Sequence, residues 1–274
     1  MSKSRLDVYL VDHSLAPSRS RAQSYIQGER EVYVNQVLIT KPSFLVGEND
    51  VVEVKQIKMV EFVSRAGYKL AKALETWALD LTGLVCLDIG ASTGGFSQCC
   101  LLYHAKKVIA VDVGHDQLAP SLQQDSRIDQ LDNLNFRYVT TTQISAAIDF
   151  YCCDVSFISL AYIIPALNKL NLQPTSCGIF LIKPQFETNQ AKIRNGRALD
   201  KDVHLIVIKK VLKLFAAHNF SVFGLTPSPL KGQKKSNLEY LLLVGKQKTL
   251  NTNHARTFSD QEIKIIIDEA WTLL

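Results

Sequence analysis

The chain has 274 residues, 47% of them hydrophobic, which is enough for one large domain with a full-sized core and a second, small one. A formal net charge of +5 and a pI near 8.8 suit a polyanionic partner without requiring one. The start lacks the apolar stretch of a signal peptide and no apolar run nears the roughly 18 residues that span a bilayer, so the expected place is the cytoplasm, with no membrane partner.

Residues 5–54 read as a compact α+β unit. Leu6, Leu10, Leu15, Ala22, Tyr25 and Ile26 suggest two short helices joined around Pro17, and strand patterns follow at Val32-Tyr33-Val34-Asn35 and Val51-Val52-Glu53-Val54. The second helix opens Ser18-Arg19-Ser20-Arg21-Ala22-Gln23, with two guanidinium groups beside a capping serine, which is either a place to receive phosphates or a solvated charged face. With Arg5-Leu6-Asp7, these stretches resemble an S4-type RNA-binding domain, which implies that Arg5, Arg19 and Arg21 meet RNA. That family usually has glycine where Arg30 and Gln36 stand, so an altered hairpin is expected there.

A short junction over residues 55–62 leads into an amphipathic helix from Ser64-Arg65-Ala66-Gly67-Tyr68-Lys69-Leu70 through about Leu79. The domain boundary is placed at 1–58 and 59–274. From Gly83 onward, apolar strands alternate with helical patterns as in a doubly wound parallel sheet, with strands near 84–89, 107–111, 128–131, 150–153, 178–182, 220–225 and 238–244. The last two are separated by a loop rich in Pro, Gly and Lys and are expected to pair antiparallel, giving the seven-stranded α/β sheet of a Rossmann-like class I methyltransferase. Ser259 and Glu262 mark a capping box, and Ile263, Ile266, Ile267 and Trp271 the inner face of a C-terminal helix.

The strand Val85-Cys86-Leu87-Asp88-Ile89 runs into the turn Gly90-Ala91-Ser92-Thr93-Gly94-Gly95-Phe96. Gly-x-x-x-Gly-Gly is neither the dinucleotide fingerprint nor the triphosphate loop, which leaves a smaller adenosyl cofactor. Asp112 ends the next strand, where sheets of this kind meet ribose hydroxyls, or alternatively caps a helix. Asp154 ends the fourth strand in Cys153-Asp154-Val155-Ser156-Phe157; enzyme families that methylate exocyclic base amines commonly carry Asp/Asn-Pro-Pro-aromatic here, and the lack of resemblance to them, with no proline following, implies a hydroxyl acceptor. Removing a hydroxyl proton needs a base, and Lys183, ending the run Gly178-Ile179-Phe180-Leu181-Ile182, can serve once neutral. Lys69 and Glu239 complete the set, because an antiparallel strand starts where its parallel neighbours end.

Together with Lys183-Pro184-Gln185-Phe186-Glu187 and Asn237-Leu238-Glu239, these motifs resemble the TlyA family over residues 5–245. That family is described both as hemolysin-like and as S-adenosylmethionine-dependent ribosomal RNA 2′-O-methyltransferases with a catalytic part similar to FtsJ. The resemblance implies a catalytic tetrad of Lys69, Asp154, Lys183 and Glu239. It further implies that Asp88 and the turn from Gly90 through Ala91, Ser92, Thr93, Gly94, Gly95 and Phe96 hold the cofactor's methionine end. Asp112 would meet its ribose, Asn135 its adenine, and Asp154 would border cofactor and acceptor alike; Arg65 joins the RNA-binding set. The expected partner is ribosomal RNA or a ribosomal subunit. Departures stand at residues 194–200 and at Lys234-Lys235-Ser236, which weakens inference about RNA specificity.

Two other functions compete: a membrane-damaging hemolysin, whose best foothold is the C-terminal helix, and a non-catalytic RNA-binding or ribosome-assembly protein. The six cysteines, Cys86, Cys99, Cys100, Cys152, Cys153 and Cys177, lie in or beside apolar runs and are read as reduced thiols. No histidine pairs with cysteine at ligand spacing, so no metal is expected.

Overall fold

A computed structural model describes residues 3–47, 49–55, 61–189, 193, 198, 200–230, 237–246, 249–250 and 253–272. The chain divides into two compact units, Met1–Glu61 and Phe62–Leu274.

In the first unit, β1 (Ser4–Arg5) leads directly into α1 (Leu6–Asp12), and α2 (Arg19–Ser24) starts at Ser18, whose hydroxyl accepts the Arg21 N–H. One turn of π-helix, Tyr25–Glu29, precedes β2 (Glu31–Val34); β3 (Val37–Leu38), β4 (Leu45–Val46) and β5 (Val52–Lys55) follow. The sheet order is β3-β2-β5, with β1 paired to β4. Leu6, Leu10, Ala22, Tyr25, Ile26, Val32 and Val34 form its core, so the helices and strand read from the sequence bury the side chains expected of them. The hairpin between β2 and β3 closes through Asn35 and Gln36. Asn35 and Gln36 both take positive φ, 49° and 67°, the geometry of a two-residue turn whose twist matches the flanking strands. Asn35 pins it by giving its amide to Asp50 and accepting the Val51 N–H.

The second unit begins with α3 (Ala66–Thr76), then alternates β6 (Val85–Ile89), α4 (Gly95–Leu102), β7 (Lys107–Val111), α5 (Pro120–Gln123), β8 (Ile128–Leu131), β9 (Ile148–Cys153), α6 (Leu160–Leu167), β10 (Leu172–Ile182), α7 (Pro184–Glu187), α8 (Lys201–Ala217), β11 (Ser221–Pro227), β12 (Tyr240–Gly245) and α9 (Asp260–Trp271). The sheet runs β11-β12-β10-β9-β6-β7-β8, and β12 is antiparallel to both neighbours while the pairs from β10 to β8 are parallel. This is the expected Rossmann-like α/β methyltransferase arrangement.

Alternation along each strand sends side chains to opposite faces. Leu87, Ile89, Tyr151 and Cys153 pack with α6, α8 and α9 on one side, and Cys86, Phe150, Cys152 and Ile179 with α3 and α4 on the other. All six cysteines are buried and unpaired, as read. The capping box at Ser259 and Glu262 is formed, and Ile263 and Ile267 of α9 are fully buried.

Candidate active site

Five strands deliver polar groups to one edge of the sheet. β6 carries Asp88, β7 and β9 end immediately before Asp112 and Asp154, β10 before Lys183, and β12 starts immediately after Glu239. The pairing of Ile182 with Tyr240 sets Lys183 beside Glu239. Lys69 comes from the first turns of α3.

The four tetrad residues meet. Lys69 Nζ lies 2.7 Å from Glu239 Oε2 and 3.7 Å from Asp154 Oδ2. Lys183 Nζ lies 2.6 Å from Asp154 Oδ1 and donates a well-aligned hydrogen bond to Ser156 Oγ at 2.8 Å. The lysine pairs with Asp154 Oδ1 by charge and proximity, and that oxygen lacks an aligned hydrogen bond. Lys69, Lys183 and Glu239 are buried; two ammonium groups against two carboxylates leave the cluster neutral, the condition under which such groups tolerate burial. Burial pushes the Glu239 carboxyl up, while Lys69 and Lys183 oppose it and Asp154 reinforces it. Behind the site Tyr240 faces His204, whose Nδ1 is 2.7 Å from the hydroxyl and whose Nε2 is 3.0 Å from the Ala198 carbonyl. Burial lowers His204 to about 4, so the ring is neutral near pH 7, accepting from Tyr240 and donating to Ala198.

The glycine turn borders this cluster in the sheet. Gly90 and Gly94 take φ of 83° and 90°, which side chains rarely adopt. A Cβ at Gly90 would stand 2.9 Å from Val155 Cγ1, and one at Gly94 2.3 Å from Leu122 Cδ1. The positive φ is what requires glycine at both positions, and at Gly90 the Val155 backbone adds to it, with its Cα 3.3 Å from such a Cβ. Ala91, Gly94 and Gly95 are buried and Ser92 and Thr93 exposed. The Phe96 side chain belongs to the core with Leu70, Cys86 and Phe150, because helical geometry turns this position inward.

Asp88 is fully buried. Its Oδ2 accepts the Ser97 hydroxyl at 2.6 Å, whereas Oδ1 is buried without a hydrogen-bond partner among the described residues. Burial raises its carboxyl to about 7, with the Ser97 hydrogen bond opposing and Asp154 reinforcing. Asp112 accepts the Ser92 N–H at Oδ2 and the Gly114 N–H at Oδ1, both at 2.8 Å, and so ties the glycine turn to the loop after β7. Asn135 accepts the Arg137 N–H and caps the short helix Phe136–Tyr138.

In the first unit, Arg5 and Arg19 do not simply face outward. Arg5 Nε and Nη2 and Arg19 Nε all donate to Asp7, as does Gln23 Nε2. Arg21 lies over the Tyr25 ring at 5.3 Å and Arg30 over it at 4.2 Å. Arg65 is exposed just ahead of α3.

The sequence reading missed Ser97, Ser156 and Asp7 as partners, since no spacing rule connects them to the groups they hold. It also missed a cluster of exposed His115 and Asp116 with half-buried Asp132, the one group of three such residues among those described whose ligand atoms lie within 4.8 Å of one another. The departures at 194–197, 199 and 234–236 lie outside the described residues. No helix among the described residues is long and apolar enough to cross a membrane.

Comparison with known proteins shows the family. Residues 62–246 match the FtsJ-like methyltransferase family and residues 4–52 the S4 domain. The 16S/23S rRNA (cytidine-2′-O)-methyltransferase TlyA of Mycobacterium tuberculosis is 35% identical over 246 residues, 89% of this chain and 91% of that protein. Hemolysin A of Brachyspira hyodysenteriae is 36% identical over 239 residues, 86% of this chain and 98% of that protein. A solved Streptococcus thermophilus structure described as a hemolysin has a TM-score of 0.72 and 33% identity, with 99% of this chain and 97% of that one covered. The chain thus belongs to the TlyA family of FtsJ-like methyltransferases that carry an S4 domain.

Proposed function

We propose that the protein is an S-adenosylmethionine-dependent ribosomal RNA ribose 2′-O-methyltransferase in which Lys69, Asp154, Lys183 and Glu239 act on the acceptor hydroxyl. One observation carries this reading: two lysines and two carboxylates from four separate segments close to 2.6, 2.7 and 3.7 Å on the sheet edge that also bears the glycine turn. Its support from relatives is the similarity to the mycobacterial 16S/23S rRNA (cytidine-2′-O)-methyltransferase.

The turn fits the cofactor on its own atoms. Asp88 Oδ1 is a buried acceptor without a partner among the described residues, which suits an ammonium donor such as the methionine amino group. Asp112 and Asn135 lie on the loops after β7 and β8, where a sheet of this order meets the nucleoside. When bound, S-adenosylmethionine supplies an electrophilic methyl group on sulfonium.

The chain's own groups do the rest. Lys183, once its ammonium has released a proton to solvent, takes the hydroxyl proton onto Nζ, and Asp154, 2.6 Å away, stabilises the ammonium re-formed. Lys69 stands between Asp154 and Glu239 and offsets the charge of both, which fixes Asp154 while it serves Lys183. In the S4 domain, Arg5, Arg19 and Arg21 receive RNA phosphates, and ribosomal RNA makes the cytoplasm the place of action.

The test is transfer of labelled methyl to ribosomal RNA from cells lacking the gene, with the modified ribose mapped. Lys183→Ala is expected to lower the rate by about 10³-fold while S-adenosylmethionine binding and folding persist. Transfer at the wild-type rate in that variant would remove Lys183 from the mechanism. A wild type that binds RNA and transfers nothing would favour the non-catalytic reading, and lysis that persists in Lys183→Ala would favour the hemolytic one.

A further inference from the structure

Two segments of the site run side by side and touch three times in register. Asp154 and Ser156 meet Lys183. Next along, the Phe157 and Phe186 rings lie 5.1 Å apart. Last, Glu187 accepts the Ser159 hydroxyl at Oε2, 2.6 Å, and the Leu160 N–H at Oε1, 2.7 Å. The first contact belongs to the tetrad; the third does not.

Glu187 is a costly group in that place. It is 6% exposed, and burial pushes its carboxyl up against the pull of Ser159, the Leu160 N–H and Lys210. The start of α6 already has a local cap, since Ser159 Oγ accepts the Ala161 N–H at 3.1 Å. A second acceptor brought from 27 and 28 residues away adds something that capping did not require. What it adds is a tie between the segment after Asp154 and the segment after Lys183. Lys210 of α8 anchors the far end by donating to the Glu187 carbonyl at 3.0 Å.

Between the two ties lies strain. Phe157 takes a φ of 65° although it is not glycine and is 82% exposed. Such a conformation costs on the order of 1–3 kcal/mol and persists only where its surroundings over-determine it. Lys183 on Ser156 holds one side of that turn and Glu187 on Ser159 the other.

We propose that Glu187 is a positioning residue for methyl transfer: through Ser159 and the Leu160 N–H it holds the Asp154 loop against the Lys183 segment and fixes the distance from Lys183 Nζ to the acceptor oxygen. The role rests on the methyltransferase reading above. It acts through geometry, without touching the reacting atoms.

The test is kcat and KM for labelled methyl transfer to ribosomal subunits from cells lacking the gene, normalised to the folded fraction from the stoichiometry of S-adenosylmethionine binding. Glu187→Gln, which swaps one acceptor oxygen for a donor, is expected to lower kcat by about 30-fold with both KM values within about threefold, as for a displaced catalytic group. Ser159→Ala is expected to lose about tenfold, and Ser159→Thr, which keeps the hydroxyl, to recover the wild-type rate. The double variant Ser159→Ala with Glu187→Gln should be no slower than Glu187→Gln alone, since the two residues form one tie. A Glu187→Gln kcat within twofold of wild type per folded molecule overturns the role, as does a loss explained wholly by the folded fraction. A wild type that transfers no methyl overturns the function reading, and this role with it.

Discussion

Asp7 and Asp88 are both 0% exposed, and the fold does opposite things to them. Asp7 in the first unit receives four donors: Arg5 twice at 2.9 and 3.0 Å, Arg19 at 3.0 Å and Gln23 at 2.9 Å. The hydrogen bond from Arg5 is the largest influence, and together with Gln23 and Arg19 it overrides burial and holds the carboxyl well below the usual range. Its cover is thin and cationic, since the Arg5 and Arg19 side chains are themselves 43% and 57% exposed. Asp88 lies inside the sheet of the second unit with one donor, Ser97, and a second oxygen left over; burial wins and lifts it to about 7. The contrast teaches that exposure alone says nothing about a buried acid. A saturated carboxylate organises structure; an unsaturated one is an incomplete site.

The same substitution at the two positions is the sharpest way to break that contrast. Asp7→Asn replaces an acceptor by a donor facing two guanidinium groups, and is expected to destabilise the first unit by about 3 kcal/mol. The sign with pH follows from the depressed carboxyl: the stabilisation is present above the ordinary value of 3.8 and is lost as pH falls below it toward the folded value. Urea unfolding followed by amide exchange in residues 3–55 reads the effect, and weaker RNA binding should accompany it because Arg5 and Arg19 lose their frame. Unchanged exchange protection would mean that the four contacts are incidental.

Asp88→Asn is expected to do the reverse. In the wild type the folded carboxyl holds its proton to about 7 while the unfolded one releases it near 3.8. Between those values the folded state therefore binds more protons, and stability falls as pH rises. The amide carries no such penalty, so the variant should fall about 2 kcal/mol below the wild type near pH 4, through the amide's unmet hydrogen bonds, and exceed it by about 2 kcal/mol at pH 8. Parallel unfolding curves for the two proteins across that range would show that Asp88 titrates normally.

How far the sequence reveals these differences depends on the range of the interaction. Near-continuous apolar runs alternating with helical patterns exposed the seven strands, and the rule that antiparallel strands begin where parallel ones end brought Glu239 to Lys183 and Asp154. The capping pattern at Ser259 and Glu262 was equally legible, being contained within four residues. The strand Leu172–Ile182 was read five residues long because Gln173, Pro174, Thr175 and Ser176 break the apolar run; its register shifts between Leu172 and Cys177, where no hydropathy signal marks a strand. Asp7 stands in the sequence only as part of the Arg5-Leu6-Asp7 motif, and Arg19 and Gln23, 12 and 16 residues away, become its partners only once α1 and α2 pack. Ser97 and Glu187 were hidden for the same reason.

The smallest expected effect separates the two acids by what they bind. If Asp88 meets the cofactor's ammonium, the ionised form is the competent one, and a carboxyl that titrates at about 7 is only partly ionised below that pH. At pH 6 about one molecule in ten is competent, so the Kd for S-adenosylmethionine should rise about tenfold between pH 8 and pH 6. Protonation of the ligand's own amine over the same range works in the opposite direction, and Asp88→Asn supplies the control, because its pH slope is that of the ligand alone. The difference between the two slopes in calorimetric titrations isolates Asp88. Asp7, fully ionised throughout, should contribute nothing, so a destabilised but folded Asp7→Asn protein should keep the wild-type slope. Equal slopes for wild type and Asp88→Asn would show that the open oxygen of Asp88 is not completed by the cofactor, and would leave it as a carboxyl buried for packing alone.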